Sequence, residues 1–148
     1  MLRTIITDCD LTREEADALN HASGLRYSQT MVTHWRVFRH SNHWLSKYAA
    51  EKLNDWINKD TPQPLQAHGI DAAQQGFYKA CKTAKTNKAD GTGNARYPYK
   101  RKWFRTTAWK SSGIRQREGA LLLSRARGLE PICVSFTTQA TIREVRLV

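Results

Sequence analysis

The spacing of apolar residues changes once along the chain, from a helical repeat to a strand repeat. Between residues 12 and 84, apolar side chains recur three or four positions apart, which is typical of amphipathic helices. Beyond residue 113 they follow a period of two, as in Ile132-Cys133-Val134-Ser135-Phe136. Helices followed by strands indicate an α+β fold, in which the helices are segregated from an antiparallel sheet.

Four helices are predicted in the first part. Thr12 and Glu15 have the spacing of a capping box, so the first helix starts there, runs to about Ala22 and stops at Gly24. Ser46 is a plausible N-cap for the third helix. The second, third and fourth helices cover about 25–39, 45–57 and 73–84, and the fourth has an apolar stripe that includes Phe77 and Cys81.

Strands are predicted at both ends of the chain. Residues 2–7 are rich in Ile, Leu and Thr and are typical of a strand. Glu118-Gly119 separates residues 114–117 from 120–124, which predicts a hairpin. Residues 132–136 and 141–148 are predicted to be further strands, and residues 87–94 a flexible loop.

Positive charge is concentrated in the second half of the chain. There are 24 Lys and Arg against 13 Asp and Glu, a formal net charge of +11. Residues 1–78 carry 8 basic and 9 acidic side chains, whereas residues 79–148 carry 16 and 4. Residues 79–117 hold 12 basic side chains with Asp90 as the single acid. Such a block indicates a polyanionic partner, and the alternative is a solvated surface that aids solubility.

Cations and aromatic residues alternate between Arg96 and Arg105. Lys and Arg neutralise phosphates, and Tyr and Trp rings stack on bases, so this pattern indicates nucleic-acid binding. The alternative places Trp103 and Phe104 in the core of a strand, and for Phe104 we expect the core position. Trp35 and Trp56 fit apolar stripes and are expected in the core, whereas Trp109 is more open to binding.

A nucleic-acid-binding surface is therefore predicted from three helical lysines spaced three apart, from the mixed segment, and from the tryptophan and cations that follow it up to Arg117. Its residues are Lys79, Lys82, Lys85, Arg96, Tyr97, Tyr99, Lys100, Arg101, Lys102, Trp103, Arg105, Trp109, Lys110, Arg115 and Arg117.

Catalytic and metal-binding motifs are weak. His40 and His43 have a spacing that could bring two imidazoles to one metal, but no third ligand accompanies them. Asp8 and Asp10 are read as turn acceptors rather than magnesium ligands. We therefore expect no catalytic residue, metal or cofactor in this chain. With no apolar run of about 18 residues and no signal sequence, the expected location is the cytosol.

Four stretches together resemble the TnpB family, the RNA-guided nucleases of insertion sequences that are related to type V CRISPR effectors. Residues 19–37 resemble its N-terminal helical motif Arg-Phe-x-x-Asn, here Arg26, Tyr27 and Gln29 or Thr30, without the usual Asn. Residues 65–80 are similar to the helix before its basic loop, with Leu65, Ala72, Gln75, Phe77 and Tyr78. Residues 97–102 resemble its Pro-Arg-Phe-Lys-Ser-Lys signature, and residues 114–134 its paired strands.

The resemblance implies an oligonucleotide-binding-type antiparallel β-barrel, the wedge domain, with an inserted helical recognition lobe. Residues 1–10 would be the first wedge strand, 11–95 the recognition lobe and 96–148 the remaining wedge strands. In that family, these two parts bind the guide RNA, the guide–target heteroduplex and a short DNA motif beside the target. Magnesium and zinc belong to a RuvC-like domain and a zinc ribbon outside these residues, so the chain alone is expected to be non-catalytic.

The partners implied by the resemblance are a structured guide RNA, target DNA and the remainder of the nuclease where that is a separate chain, with no membrane. The location it implies is the prokaryotic cytosol or nucleoid. An alternative from another class is a free-standing DNA-binding protein, such as a small repressor with a helix-turn-helix. That alternative predicts a symmetric dimer and a palindromic site, whereas a guide-RNA-binding chain depends on a structured RNA.

Overall fold

The computed structural model describes residues 1–91 and 93–148 and has the predicted α+β composition. Within these residues three helices are followed by five short strands. The helices are α1 (Arg13–Ser41), α2 (Lys47–Ile57) and α3 (Ala67–Ala89), and the strands are β1 (Thr107–Lys110), β2 (Ile114–Arg117), β3 (Ala120–Leu123), β4 (Ile132–Ser135) and β5 (Glu144–Leu147). Across the described ranges, no helix is both long and apolar enough to cross a membrane.

Helix α1 begins at the predicted capping box. The Glu15 amide donates to Thr12 Oγ1 at 3.2 Å, and the Thr12 amide donates to the Glu15 carboxylate at 2.9 Å. The helix then continues through Gly24 to Ser41 and ends at Asn42, whose φ of 55° is left-handed. The predicted break at Gly24 is therefore wrong: Gly24 is buried within α1 against the backbone of Trp103, so its missing side chain permits close approach.

Helices α2 and α3 follow their predicted signals. The Ala49 amide donates to Ser46 Oγ at 3.2 Å, which confirms Ser46 as the N-cap of α2. Helix α3 is longer than its predicted range, but the predicted stripe is its buried side, including Phe77 and Cys81. This side of α3 packs on α1, so the two long helices form one layer.

The strands form two antiparallel sheets in the part of the chain that the structure describes. One sheet has the order β2-β3-β4, and the other pairs β1 with β5. The predicted hairpin is confirmed, since Gly119 adopts a φ of 73° between β2 and β3. These two sheets do not close into one barrel in the described residues.

The strand predicted at residues 2–7 is wrong. The whole segment is exposed and lies outside any helix or strand, and Leu2 and Ile6 are exposed side chains. A strand gains its stability from cross-strand pairs and from burial of one face, and this segment has neither in the structure.

Two apolar clusters make up the core. The first lies between the strands and the start of α1, and alternate residues such as Leu121, Leu123, Ile132 and Val134 point into it. The second lies between α1 and α3 and is made of Tyr27, Met31, Phe77 and Cys81. This second cluster fixes the two helices against which the segment leading to β1 packs.

Candidate nucleic-acid interface

Residues 95–106, called the extended segment here, run without helix or strand from the end of α3 toward β1. Asn20 accepts from the Arg105 amide at 2.9 Å, and Ser28, further along α1, hydrogen-bonds Lys102. Trp35, further still, donates from Nε1 to the Pro98 carbonyl at 2.8 Å. Residue numbers thus rise along α1 as they fall along the segment, so the segment runs antiparallel to α1.

A single serine fixes the middle of the extended segment. Ser28 is buried on α1, and its hydroxyl oxygen accepts from the Lys102 amide at 2.8 Å. The same hydroxyl donates to the Lys102 carbonyl at 2.9 Å. Both backbone groups of Lys102 are therefore satisfied by one side chain, which does for this segment what a sheet partner does for a strand.

The start of the extended segment is held by an aromatic cluster. The ring of Tyr97 lies 6.0 Å from that of Trp35 and 5.4 Å from that of Trp44, between centroids. His34 lies at the centre of the same cluster, with its ring 4.5 Å from Trp44 and 5.3 Å from Phe77. Aromatic pairs at these distances contribute about 0.5–1.5 kcal/mol each beyond their burial, so the segment starts from a rigid anchor.

A groove lies between the extended segment and α3. Its volume is about 620 Å³. It is lined by Tyr27 of α1, by Ala80, Thr83, Ala84 and Asn87 of α3, and by residues 95–100 and 102 of the extended segment. We call it the basic groove. Small α3 residues keep it open, and the segment supplies most of its charge.

Two tyrosine rings that line the basic groove each have a lysine ammonium over them. Lys102 Nζ is 4.9 Å from the centroid of Tyr27, and Lys88 Nζ is 4.5 Å from the centroid of Tyr97. Cation–π contacts of this kind contribute about 0.5–1 kcal/mol at exposed sites. They hold the ammonium groups at the groove without neutralising them.

The groove cations lack acidic partners. In the described ranges, 1–91 and 93–148, three ion pairs occur, namely Arg13–Asp17, Lys110–Glu144 and Arg146–Glu144. None involves a cation of the extended segment or of α3. Positive charge that is not compensated within the protein attracts anions from solution and concentrates them at the groove.

Two predicted binding residues are structural. Trp109 is 3% exposed, lies in the strand core and donates from Nε1 to the Ser124 carbonyl at 2.7 Å, so its ring is closed to a base and that prediction is wrong. Arg105 is half-buried, with Cζ 5.7 Å from the ring centroid of Tyr27. Burial lowers the pKa of Arg105, which is consistent with a guanidinium packed against the helices.

Two core predictions are also wrong. Phe104 is 57% exposed although we expected it in the core, because the residues before β1 follow α1 rather than a sheet. Trp56 is 68% exposed on α2, and Lys59 Nζ lies 5.9 Å from its ring centroid. Trp35, by contrast, packs beside the second core cluster as expected.

The remaining predicted cations lie on other surfaces. Lys79, Lys82 and Lys85 are exposed on α3 but are not among the residues that line the basic groove. Arg115 and Arg117 are exposed on β2. Lys110 donates to the carboxylate of Glu144, opposite it in the β1–β5 register, and this hydrogen bond lowers the pKa of Glu144.

Three residues at the interface were missed by the sequence reasoning. Lys88 continues the series of lysines spaced three apart and was available from that signal. Tyr27 lines the groove from α1, and Arg36 lies beside the extended segment on its other side. Both are far from the segment in sequence, so nothing in the local pattern indicated them.

Other candidate chemistry finds little support. Among residues 1–91 and 93–148, no three His, Cys, Asp or Glu side chains are grouped as metal ligands would be. Cys81 is buried, and burial raises the pKa of its thiol to about 11. A thiol with that pKa is almost wholly protonated at neutral pH and is a poor nucleophile.

Comparison with protein-family models, curated proteins and solved structures finds no significant match to this chain. The functional argument therefore rests on the geometry and charge of the basic groove.

Proposed function

We propose that the chain binds nucleic acid through the basic groove, as the guide-RNA- and target-DNA-binding portion of a TnpB-type RNA-guided nuclease. The observation that carries the proposal is the row of cations without acidic partners, interleaved with tyrosines, between two separate elements. Phosphates need such cations, and bases and riboses pack on such rings.

The rigidity of the extended segment supports a specific site. Lys100, Arg101 and Lys102 are exposed, whereas the backbone of Lys102 is held by Ser28 and that of Pro98 by Trp35. Cations on a fixed backbone lose less conformational entropy on binding than cations on a mobile loop. A chain that needed charge only for solubility would not need this support.

The TnpB assignment is the finer part of the proposal and rests on the motif resemblance. In it, α1, α2 and α3 form the recognition lobe, and the two sheets are parts of an oligonucleotide-binding-type wedge barrel. The wedge and the lobe then meet at the extended segment, where guide RNA lies in the basic groove.

Filter binding with three matched nucleic acids tests the proposal. The probes are a structured RNA hairpin, the same hairpin as DNA, and a palindromic DNA duplex of equal length. We expect the RNA hairpin to bind most tightly, as a complex with one copy of the chain. Tighter binding to the palindrome by a dimer would instead support a free-standing DNA-binding protein, such as a repressor. Binding to none of the three would refute the groove as a nucleic-acid site.

The TnpB assignment has its own test. Sequencing the gene beyond the codon for Val148, and the neighbouring reading frames, should reveal a RuvC-like sequence with three acidic residues. A locus that lacks one would contradict the assignment while leaving nucleic-acid binding intact.

A further inference from the structure

A second, smaller cleft lies on the other side of the extended segment from the basic groove. Its volume is about 280 Å³. Residues 101–103 of the segment form one wall, α1 from Leu25 to Arg36 forms the floor, and Asn54 and Ile57 of α2 form the other wall. Lys102 borders both the cleft and the basic groove, so the two sites are separated by the width of one chain segment.

The walls of the cleft include a large aromatic surface. Trp103 is 67% exposed, and Leu25 and Ile57 are also exposed large apolar side chains. The backbone of Trp103 is fixed, because His21 Nδ1–H donates to its carbonyl oxygen at 3.0 Å. The His21 ring is also parallel to the indole, at 4° between planes. The indole is therefore an exposed aromatic surface on a fixed stretch of backbone.

The polar groups of the floor are already paired with each other. Gln29 and Asn58 exchange two amide hydrogen bonds of 3.2 Å each. Thr33 donates to Asn54 Oδ1 at 3.2 Å. These groups are engaged within the protein, so a ligand seated on them is held mainly by stacking and charge, with little hydrogen-bond selection.

The charge of the cleft is positive. Arg36 of α1 and Arg101 of the extended segment both line it and are exposed. No acidic residue lines it, and in the described part of the chain neither arginine has a carboxylate within ion-pair distance. An exposed indole and two arginines that line one cleft match a planar, uncharged ring joined to phosphates.

We propose that this cleft binds a single unstacked nucleobase, with its ring against Trp103 and its flanking phosphates at Arg36 and Arg101. The inference rests on the proposed nucleic-acid function and extends it to a second subsite. The volume of about 280 Å³ is just below the lower end of ordinary ligand pockets, about 300 Å³, so it suits a single base rather than a larger ligand. Turning a base out of a nucleic-acid stem costs the least free energy when that base is unpaired or bulged. The preferred ligand therefore has an unpaired nucleotide beside a base-paired stem.

The test uses two RNA stems that differ by one bulged nucleotide, which is 2-aminopurine. The wild-type chain should bind the bulged stem about 5- to 150-fold more tightly, because stacking contributes about 1–3 kcal/mol per base. Binding should also quench the 2-aminopurine fluorescence. Replacing the 2-aminopurine by uracil should change the affinity little, since the amides of the floor are already paired.

Two tryptophans of equal exposure supply the variants. Trp103→Ala should abolish the preference for the bulged stem and the quenching, and Trp103→Phe should keep part of both. Trp56→Ala is the control: Trp56 is 68% exposed but lies on α2 outside the cleft, so its loss should change neither. Thermal melting of each variant confirms that the fold is unchanged.

The outcomes separate the inference from the function on which it rests. Equal binding of both stems by the wild-type chain, or an undiminished bulge preference in folded Trp103→Ala, would refute nucleobase binding in the cleft. Neither result would refute nucleic-acid binding at the basic groove. Failure to bind either stem would overturn the proposed function itself.

Discussion

A Cβ atom placed on Gly24 would lie 2.6 Å from the carbonyl oxygen of Trp103. Real Cβ atoms do not approach a backbone carbonyl so closely, so α1 and the extended segment can touch at this point only through glycine. The contact explains why a glycine stands in the middle of a 29-residue helix. It also makes Gly24 the residue that sets the distance between the segment and α1.

Gly24→Ala should destabilise the fold by about 1–3 kcal/mol, because the added methyl group forces the segment away from α1. This is opposite to helix propensity, which favours Ala over Gly by about 1 kcal/mol. Urea unfolding measures the change. Gly69→Ala is the matched control, since a Cβ at Gly69 in α3 meets its nearest neighbour at an ordinary 3.6 Å and the variant should be neutral or stabilising. Equal changes in the free energy of unfolding for Gly24→Ala and Gly69→Ala would refute the close contact.

His34 should make stability depend on pH. It is fully buried with Nδ1 3.0 Å from the Tyr78 hydroxyl, and burial lowers its pKa. The unfolded chain therefore takes up the proton first, as pH falls below about 6.5. Stability should be constant above that pH and fall below it.

Urea midpoints measured from pH 7.5 to pH 5 check this. His34→Gln should flatten the decline, although it also lowers overall stability. The same change at His40, which is exposed at the end of α1, should leave the decline of the urea midpoint with falling pH unaltered. A decline that is as steep in His34→Gln as in the wild type would exclude His34 as its source.

Tyr99 is a further candidate for stacking, since it is 59% exposed at the basic groove. Tyr99→Ala should weaken RNA binding by about 1–3 kcal/mol with little change in salt dependence. Its melting temperature should stay the same, because little of the ring is buried. Tyr48→Ala on α2 is the control, since Tyr48 is 66% exposed and Lys47 Nζ lies 4.9 Å from its ring centroid. Tyr99 has a similar neighbour, because Lys100 Nζ lies 6.0 Å from its ring centroid. Unchanged affinity in folded Tyr99→Ala would remove the stacking role.

Local signals in the sequence were reliable where the contacts are local. The Thr12 capping box, the Ser46 cap and the hairpin at Gly119 depend on residues within a few positions, and all three are confirmed. Gly24 was misjudged because glycine is common both at helix ends and at close backbone contacts. Only the contact with Trp103, which is distant in sequence, shows that Gly24 has the second role.

Burial of tryptophan could not be predicted for the same reason. Trp56 and Trp109 each have apolar neighbours in sequence, yet the first is exposed and the second is in the core. The difference is tertiary: β1 lies against α3, whereas the Trp56 side of α2 has no element over it in the described residues. Lys100 to Lys102 were found from composition, but Tyr27 and Arg36 reach the sites only through folding.

The salt dependence of RNA binding tests the basic groove most directly. Each phosphate contact adds about −0.7 to −0.9 to the slope of log K against log salt. The change to make is Arg96, Lys100 and Lys102 to Ala together, since these three exposed cations line the groove. The control changes Arg39, Lys52 and Lys59, three exposed cations outside the groove, to Ala.

We predict a steep slope for the wild-type chain in filter binding to a structured RNA from low to high salt. The groove variant should bind more weakly to all RNA sequences alike, with a slope shallower by about two to three units, and the control should keep the wild-type slope. A flat response in the wild type, or equal slopes in the groove variant and the wild type, would contradict the account.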